Sequence, residues 1–252
     1  MRRCAWCLVV LFAWPLAGQA AKPAPVEFGA GAWVDVDATG KAHVVEMDRL
    51  TGIKDDGDAG SSAATVKARL RERIESWEFQ PPMKNGVAVS GKTHVWIALV
   101  GEDNGSGGIV LRIKSAGTGS QILRKPSMMP IAREVEHADG WRLLVHMTID
   151  QQGRVTDAGV VESKAFDGRT FTPRASDKLV KATVKTVMQF EFVPELVDGQ
   201  PVSSEGNMPI VICMSKACMK AGADPAQDRN DHEFVAAKPS VLLRTAVAET
   251  AL

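Results

Sequence analysis

Ser76–Val89 reads SWEFQPPMKNGVAV, and Gln189–Val202 reads QFEFVPELVDGQPV. Laid over each other without a gap, the two stretches share Glu78/Glu191, Phe79/Phe192, Pro81/Pro194, Gly86/Gly199 and Val89/Val202, each pair 113 residues apart. The same offset carries Asp37 onto Asp150, Gly40 onto Gly153 and Ile97 onto Ile210. A constant spacing over so long a stretch is the mark of an internal repeat, so the chain reads as one unit written twice.

Each copy follows the same physical pattern. An alternating apolar run opens it, from Trp33 in the first copy and Trp141 in the second, and a polar turn with Gly40 or Gly153 sends the chain back into a second strand. A helix follows. In the first copy Val66, Leu70, Ile74 and Trp77 fall on one stripe, and in the second Leu179, Val180, Val184, Val187 and Met188 do, with Thr172 placed to cap the start before Pro173. A short Phe-x-Pro strand, a turn at Asn85-Gly86 or Asp198-Gly199, and a last strand (His94–Val100 or Met208–Met214) complete the unit. The expected fold class is α+β: two tandem ββαββ-type domains, each a small antiparallel sheet covered by one helix.

The flanks carry different signals. Arg2 and Arg3, the apolar run Ala5–Leu16 and the small residues Ala17–Ala21 match a secretory signal peptide over residues 1–20, cut after Ala20. The alternative is an uncleaved anchor helix. The expected domains are 28–116 and 126–218. Gly101–Gly108 and Ser115–Ser120 are flexible stretches around an extra strand at Ile109–Ile113. Residues 219–252 read as a polar linker with a short C-terminal helix over Lys238–Leu252. Export would remove Cys4 and Cys7. It would leave Cys213 and Cys218 in an oxidising compartment, where a disulfide between them is expected.

The chain's 252 residues are 45% apolar and carry 30 basic against 30 acidic side chains. Zero net charge removes the usual basis for nucleic-acid binding. The five His (43, 94, 137, 146 and 232) are scattered, and neither a phosphate loop nor a nucleophile elbow nor a zinc-binding helix motif is present. No catalytic residue, cofactor site or metal site is expected; His94 and His146 read as packed or surface imidazoles.

The second copy resembles the C-terminal domain of TonB-family proteins. The matching residues are Pro126–Pro130 (PSMMP), Val145–Val155 (VHMTIDQQGRV), Phe190–Pro194, Asp198–Val202 and Met208–Ile212. The first copy resembles it more weakly, through Trp77–Pro81 and Asn85–Val89. The family often has Tyr-Pro before its first strand; this chain has Met129-Pro130 and no Tyr.

The resemblance implies a domain that binds an extended partner segment by adding it to a sheet edge. It places that edge on the last strand of the second copy, at Met208, Ile210, Val211 and Ile212. The family's transducing role also needs a membrane helix and a long Pro-rich spacer. After the signal this chain offers Lys22–Gly29, whose reach is at most about 28 Å. The expectation is therefore a periplasmic interaction module linked to outer-membrane transport, with a protein or peptide partner such as an outer-membrane receptor or envelope protein. A membrane-anchored energy transducer facing the periplasm is the first alternative, and a structural or envelope-stress module the second.

Overall fold

The computed structural model describes residues 26–52, 61–103, 109–134, 140–165, 173–213, 235–247 and 250–251. The expected signal peptide, Thr172, Cys218 and the polar linker after it lie outside the described residues.

The first unit contains β1 (Val26–Val36), β2 (Ala42–Met47), α1 (Ser62–Glu75), β3 (Phe79–Gln80), β4 (Met83–Lys84), β5 (Val87–Ala88) and β6 (Gly91–Asp103). A connecting segment supplies β7 (Ile109–Gly119), β8 (Gln121–Arg124) and α2 (Met129–Glu134). The second unit contains β9 (Gly140–Ile149), β10 (Val155–Ala165), α3 (Pro173–Val187), β11 (Glu191–Val193), β12 (Leu196–Val197), β13 (Gln200–Pro201) and β14 (Ser204–Cys213). The tail adds β15 (Val235–Ala236), β16 (Leu242–Leu243) and β17 (Thr250–Ala251). The fold is α+β with antiparallel sheets, and the elements of the second unit recur in the order of the first. The order β2-β1-β6 in one unit matches β10-β9-β14 in the other.

The repeat extends to single hydrogen bonds. In the first hairpin the Asp37 carboxylate accepts from the Thr39 and Lys41 N–H groups at 2.8 and 3.0 Å. In the second, Asp150 accepts from Gln152 and Arg154, both at 2.9 Å. Such Asx turns tie the side chain to its own backbone and select Asp at this position. The glycine of each turn has positive φ (88° for Gly40, 77° for Gly153), and its carbonyl accepts from Phe79 N–H at 3.3 Å or Phe192 N–H at 2.7 Å. The Phe-x-Pro strand is thereby clamped under the hairpin. Asn85 and Asp198 also have positive φ, 54° and 52°, as a turn of Asn-Gly or Asp-Gly type requires.

Strand alternation sorts the sheet faces. Along β9, Trp141, Leu143, Val145, Met147 and Ile149 are buried, and the residues between them are partly exposed. They pack with Leu179, Val187, Phe190 and Phe192, and Ile131 of α2 joins the same core. The first core gathers Ala32, Val34, Val36, Leu70, Ile74, Trp77 and Phe79, with Val66 at its border. Ser61 caps α1 by accepting from Ala64 N–H at 3.2 Å.

Several expectations are corrected. Ser115–Gly119 continues β7, because its backbone pairs along β6 from His94 to Ala98. Among the described tail residues, Lys238–Val247 form no helix; Leu242 and Leu243 pair with β3 instead, and Val241 and Val247 enter the first core. Pro239 and the short apolar spacing suit an extended segment that finds its partners in tertiary contact. Met188 lies just past α3 and is exposed, while Thr183 and Thr186 occupy the buried stripe.

Candidate functional site

The edges of the two sheets are the candidate site, because strand addition needs a row of backbone groups facing outward. In the first unit the far side of β6 is already filled. β7 runs antiparallel along it from His94↔Gly119 to Asp103↔Ile109. Trp96 lies so close over Gly117 on β7 that a Cβ there would come within 2.5 Å of its ring. In the second unit β14 pairs fully with β9, from Ser204↔Ile149 to Cys213↔Gly140. On its far side the described residues place only β15, at Gly206 and Asn207.

The predicted edge residues divide by face. Met208, Ile210 and Ile212 are buried in the second core, and Val211 lies half-buried on the other face. The Glu205 carbonyl accepts from Ala237 N–H at 2.8 Å on the far side. Backbone direction alternates along an antiparallel strand, so Asn207, Pro209 and Val211 also turn their backbone groups away from β9. Pro209 has no N–H to offer. Between Met208 and Val211 the residues turned to that side are Pro209, which is buried, and Val211, which is half-buried, a narrower edge than the run read from the sequence. Cys213 is disulfide-bonded, and its expected partner Cys218 lies outside the described residues.

The segments that follow each unit hold the two units together. The connecting segment first completes β6 through β7 and then sends β8 to β11 of the other unit, with Arg124 paired to Glu191. The tail first meets β14 through β15 and then sends β16 to β3 of the first unit. Two further crossings join the units: β12 pairs with the start of β6, and Lys84 bonds Asp198 at 2.7 Å.

Glu195 is the point where these pieces meet. It is fully buried, accepts from the Thr93 hydroxyl of β6 at 2.7 Å, and accepts from Ser240 N–H of the tail at 3.0 Å. Burial raises its pKa above the ordinary carboxylate value, against the lowering effect of the Ser240 and Thr93 bonds. The repeat itself contains the signal for it: the position 113 residues earlier is Pro82. An acidic residue placed between Pro194 and Leu196 inside a repeated motif departs from its sister copy.

A second polar cluster lies on the helix-free face of the first sheet. His94 Nε2 is 2.8 Å from Asp48 Oδ2, Gln121 donates to the same oxygen at 3.0 Å, and Trp33 Nε1 donates to Gln121 at 2.9 Å. Gly31 makes room for it, since a Cβ there would lie 2.5 Å from the Asp48 carboxylate. Burial disfavours the Asp48 charge, but the His94 and Gln121 bonds outweigh it and its pKa is lowered. At the repeat positions of Trp33 and His94 stand His146 and Asn207, themselves bonded at 3.0 Å, with Glu205 2.9 Å from the other His146 nitrogen. Both clusters satisfy their own polar groups and bridge neighbouring strands. Among the described residues no group of His, Cys, Asp or Glu is arranged to hold a metal ion.

No family model, no curated protein and no solved structure matches this chain. Among the described residues no helix is long and apolar enough to cross a membrane.

Proposed function

We propose that this chain is a periplasmic, TonB-like protein-interaction module that receives an extended segment of a partner by strand addition at the second unit, in the service of outer-membrane transport. One observation carries the reading: the last strand of the first unit is completed along its length by an extended segment, β7, whereas the same side of β14 meets only two residues of β15 among those described. The unit thus already takes a strand in this position. Main-chain bonds of this kind supply affinity with little demand on sequence, and alternate side chains set the register. The signal-peptide pattern and the resemblance of the second copy to the TonB C-terminal domain support a partner in the envelope.

The test is a backbone-amide NMR titration of the exported protein with short extended peptides from the periplasmic N-termini of outer-membrane receptors. The expected result is a shift of Asn207, Ile210, Val211 and Ile212 amides, lost in Val211→Pro. A well-dispersed spectrum in which those amides stay fixed across the receptor peptides refutes the reading. N-terminal sequencing of the exported chain separates the module from an anchored transducer, with a start at Ala21 expected.

A further inference from the structure

The outer strands of the two sheets are finished differently. On β2 the helix closes the edge: Glu75 accepts from Val44 N–H at 3.0 Å and Arg71 donates to the Val44 carbonyl at 2.9 Å. At the repeat positions α3 and the residue just past it carry Val184 and Met188, which have no polar group to offer. Among the described residues β10 pairs only with β9, and its Val161 is exposed. The other candidates are used internally. Glu195 and the Asp48–His94 cluster are bonded within the fold, and the open cleft of about 740 Å³ beside Asp37, Lys41 and Glu75 mixes both charge signs without a common geometry.

We propose that the occupant of the β10 edge is β10 of a second copy of this chain, antiparallel, around a two-fold axis between Val160 and Val161. The register follows from the backbone. β9 turns the polar groups of Trp141, Leu143, Val145, Met147 and Ile149 toward β14, so Arg142, Leu144, His146 and Thr148 bond β10 through Lys164, Glu162, Gly159 and Asp157. Ala158 and Ser163 therefore turn theirs outward. In the proposed register Ala158 faces Ser163 of the second copy as a bonded pair, twice. Asp157 faces Lys164, also twice, at the non-bonded positions where side chains approach most closely.

The bulge between Val160 and Glu162 makes this pairing possible. Asp157 and Lys164 are seven residues apart and would fall on opposite faces of a regular strand, but the extra residue puts both on the helix-free face. Sliding the register one step one way sets Asp157 against Glu162 in both halves. Sliding it the other way sets Lys164 against Gly159 and leaves no ion pair. The charges on β10 thus select one self-pairing and oppose the alternatives, as two-fold interfaces with a self-complementary patch do.

Sedimentation velocity on the full chain, from low micromolar to millimolar protein, tests this. The wild type is expected to dimerise reversibly. Lys164→Glu and Asp157→Lys each weaken association by about tenfold or more, and Asp157→Lys with Lys164→Glu together restores it. Both residues of the test are exposed, and circular dichroism verifies that the variants keep the fold. A wild type that stays monomeric throughout, a dimer indifferent to both single reversals, or a folded double variant that fails to regain association overturns the proposal.

Discussion

Gly153 and Gly199 sit in the same unit with nearly the same backbone, φ 77° and 73°, yet substitution by alanine should cost very different amounts. Both changes place an L-residue in the left-handed region, at about 1–2 kcal/mol. Both remove similar freedom from the unfolded chain, so that effect cancels in the comparison. The surroundings separate them. A Cβ at Gly199 meets nothing within 4 Å, whereas at Gly153 it would lie 1.9 Å from the Phe192 carbonyl oxygen. That oxygen belongs to backbone and cannot swing aside. Relief requires the clamped strand to move, which loses the Phe192 N–H bond to Gly153, worth about 1 kcal/mol, and loosens the buried Phe190–Phe192 stack, whose ring centroids are 6.2 Å apart.

Gly153→Ala should therefore destabilise the protein by about 3 kcal/mol and Gly199→Ala by about 1 kcal/mol. Urea unfolding followed by circular dichroism and by fluorescence of Trp141, the single tryptophan of residues 126–218, measures the difference. The first unit repeats the comparison: a Cβ at Gly40 would come within 2.3 Å of the Phe79 carbonyl oxygen, and one at Gly86 meets nothing. Equal costs for Gly153→Ala and Gly199→Ala refute the clamp. The ordering Gly40 above Gly86 must appear as well if the two hairpins do the same work.

Glu195 gives a pH prediction. Its folded pKa is raised, so between the unfolded and folded values the native state holds the extra proton. Its contribution is full below the unfolded pKa and is lost as pH rises through the folded one. Glu195→Gln keeps an acceptor and removes the charge, so it should stabilise the protein at neutral pH and match wild type in acid, as thermal melts across pH will register. Removing the edge cap by Arg71→Ala with Glu75→Ala should cost about 1–2 kcal/mol and open β2 at Val44; light scattering on folded protein should then detect self-association above the wild-type level.

What the sequence disclosed was local. The hairpins, the apolar stripe of α1, and the turns at Asn85 and Asp198 are encoded by residues within a few positions of one another, and a repeat doubles each signal. The connecting segment was legible in part, as a strand at Ile109–Ile113 that β7 extends to Gly119, whereas β8 has four residues and β15, β16 and β17 two each, too few to show a period. Their strand geometry is imposed by the ladders they join. α2 was missed for a related reason: Met129–Glu134 is barely a turn and a half, and it reaches the core through Ile131, with Ala132 packed at the border. At the candidate edge, the sequence located β14 and its buried residues. It did not register Pro209 as a gap, because that depends on which way the backbone points.

The reciprocal exchange of segments has a consequence for binding. The tail that touches the β14 edge through β15 continues directly into the Glu195–Ser240 bond, the Thr118–Val241 bond of 2.5 Å and the β16–β3 ladder. Val235 and Ala236 are therefore held at β14 by their own contacts in the second unit, where Ala236 joins the core, and by the tail's contacts further along with Glu195, β7 and β3. A partner segment that extends past Val211 toward Asn207 has to displace them, and it works against that anchorage as well as against two ladder bonds. On the proposed function the tail is a built-in competitor, lowering apparent affinity by the fraction of time it occupies the edge. Weakening its far end, as Val241→Ala would by removing a fully buried side chain from the first core, should tighten peptide binding at a site in the other unit while lowering overall stability. Tighter binding from a destabilised protein is an outcome that two independently packed domains would not produce.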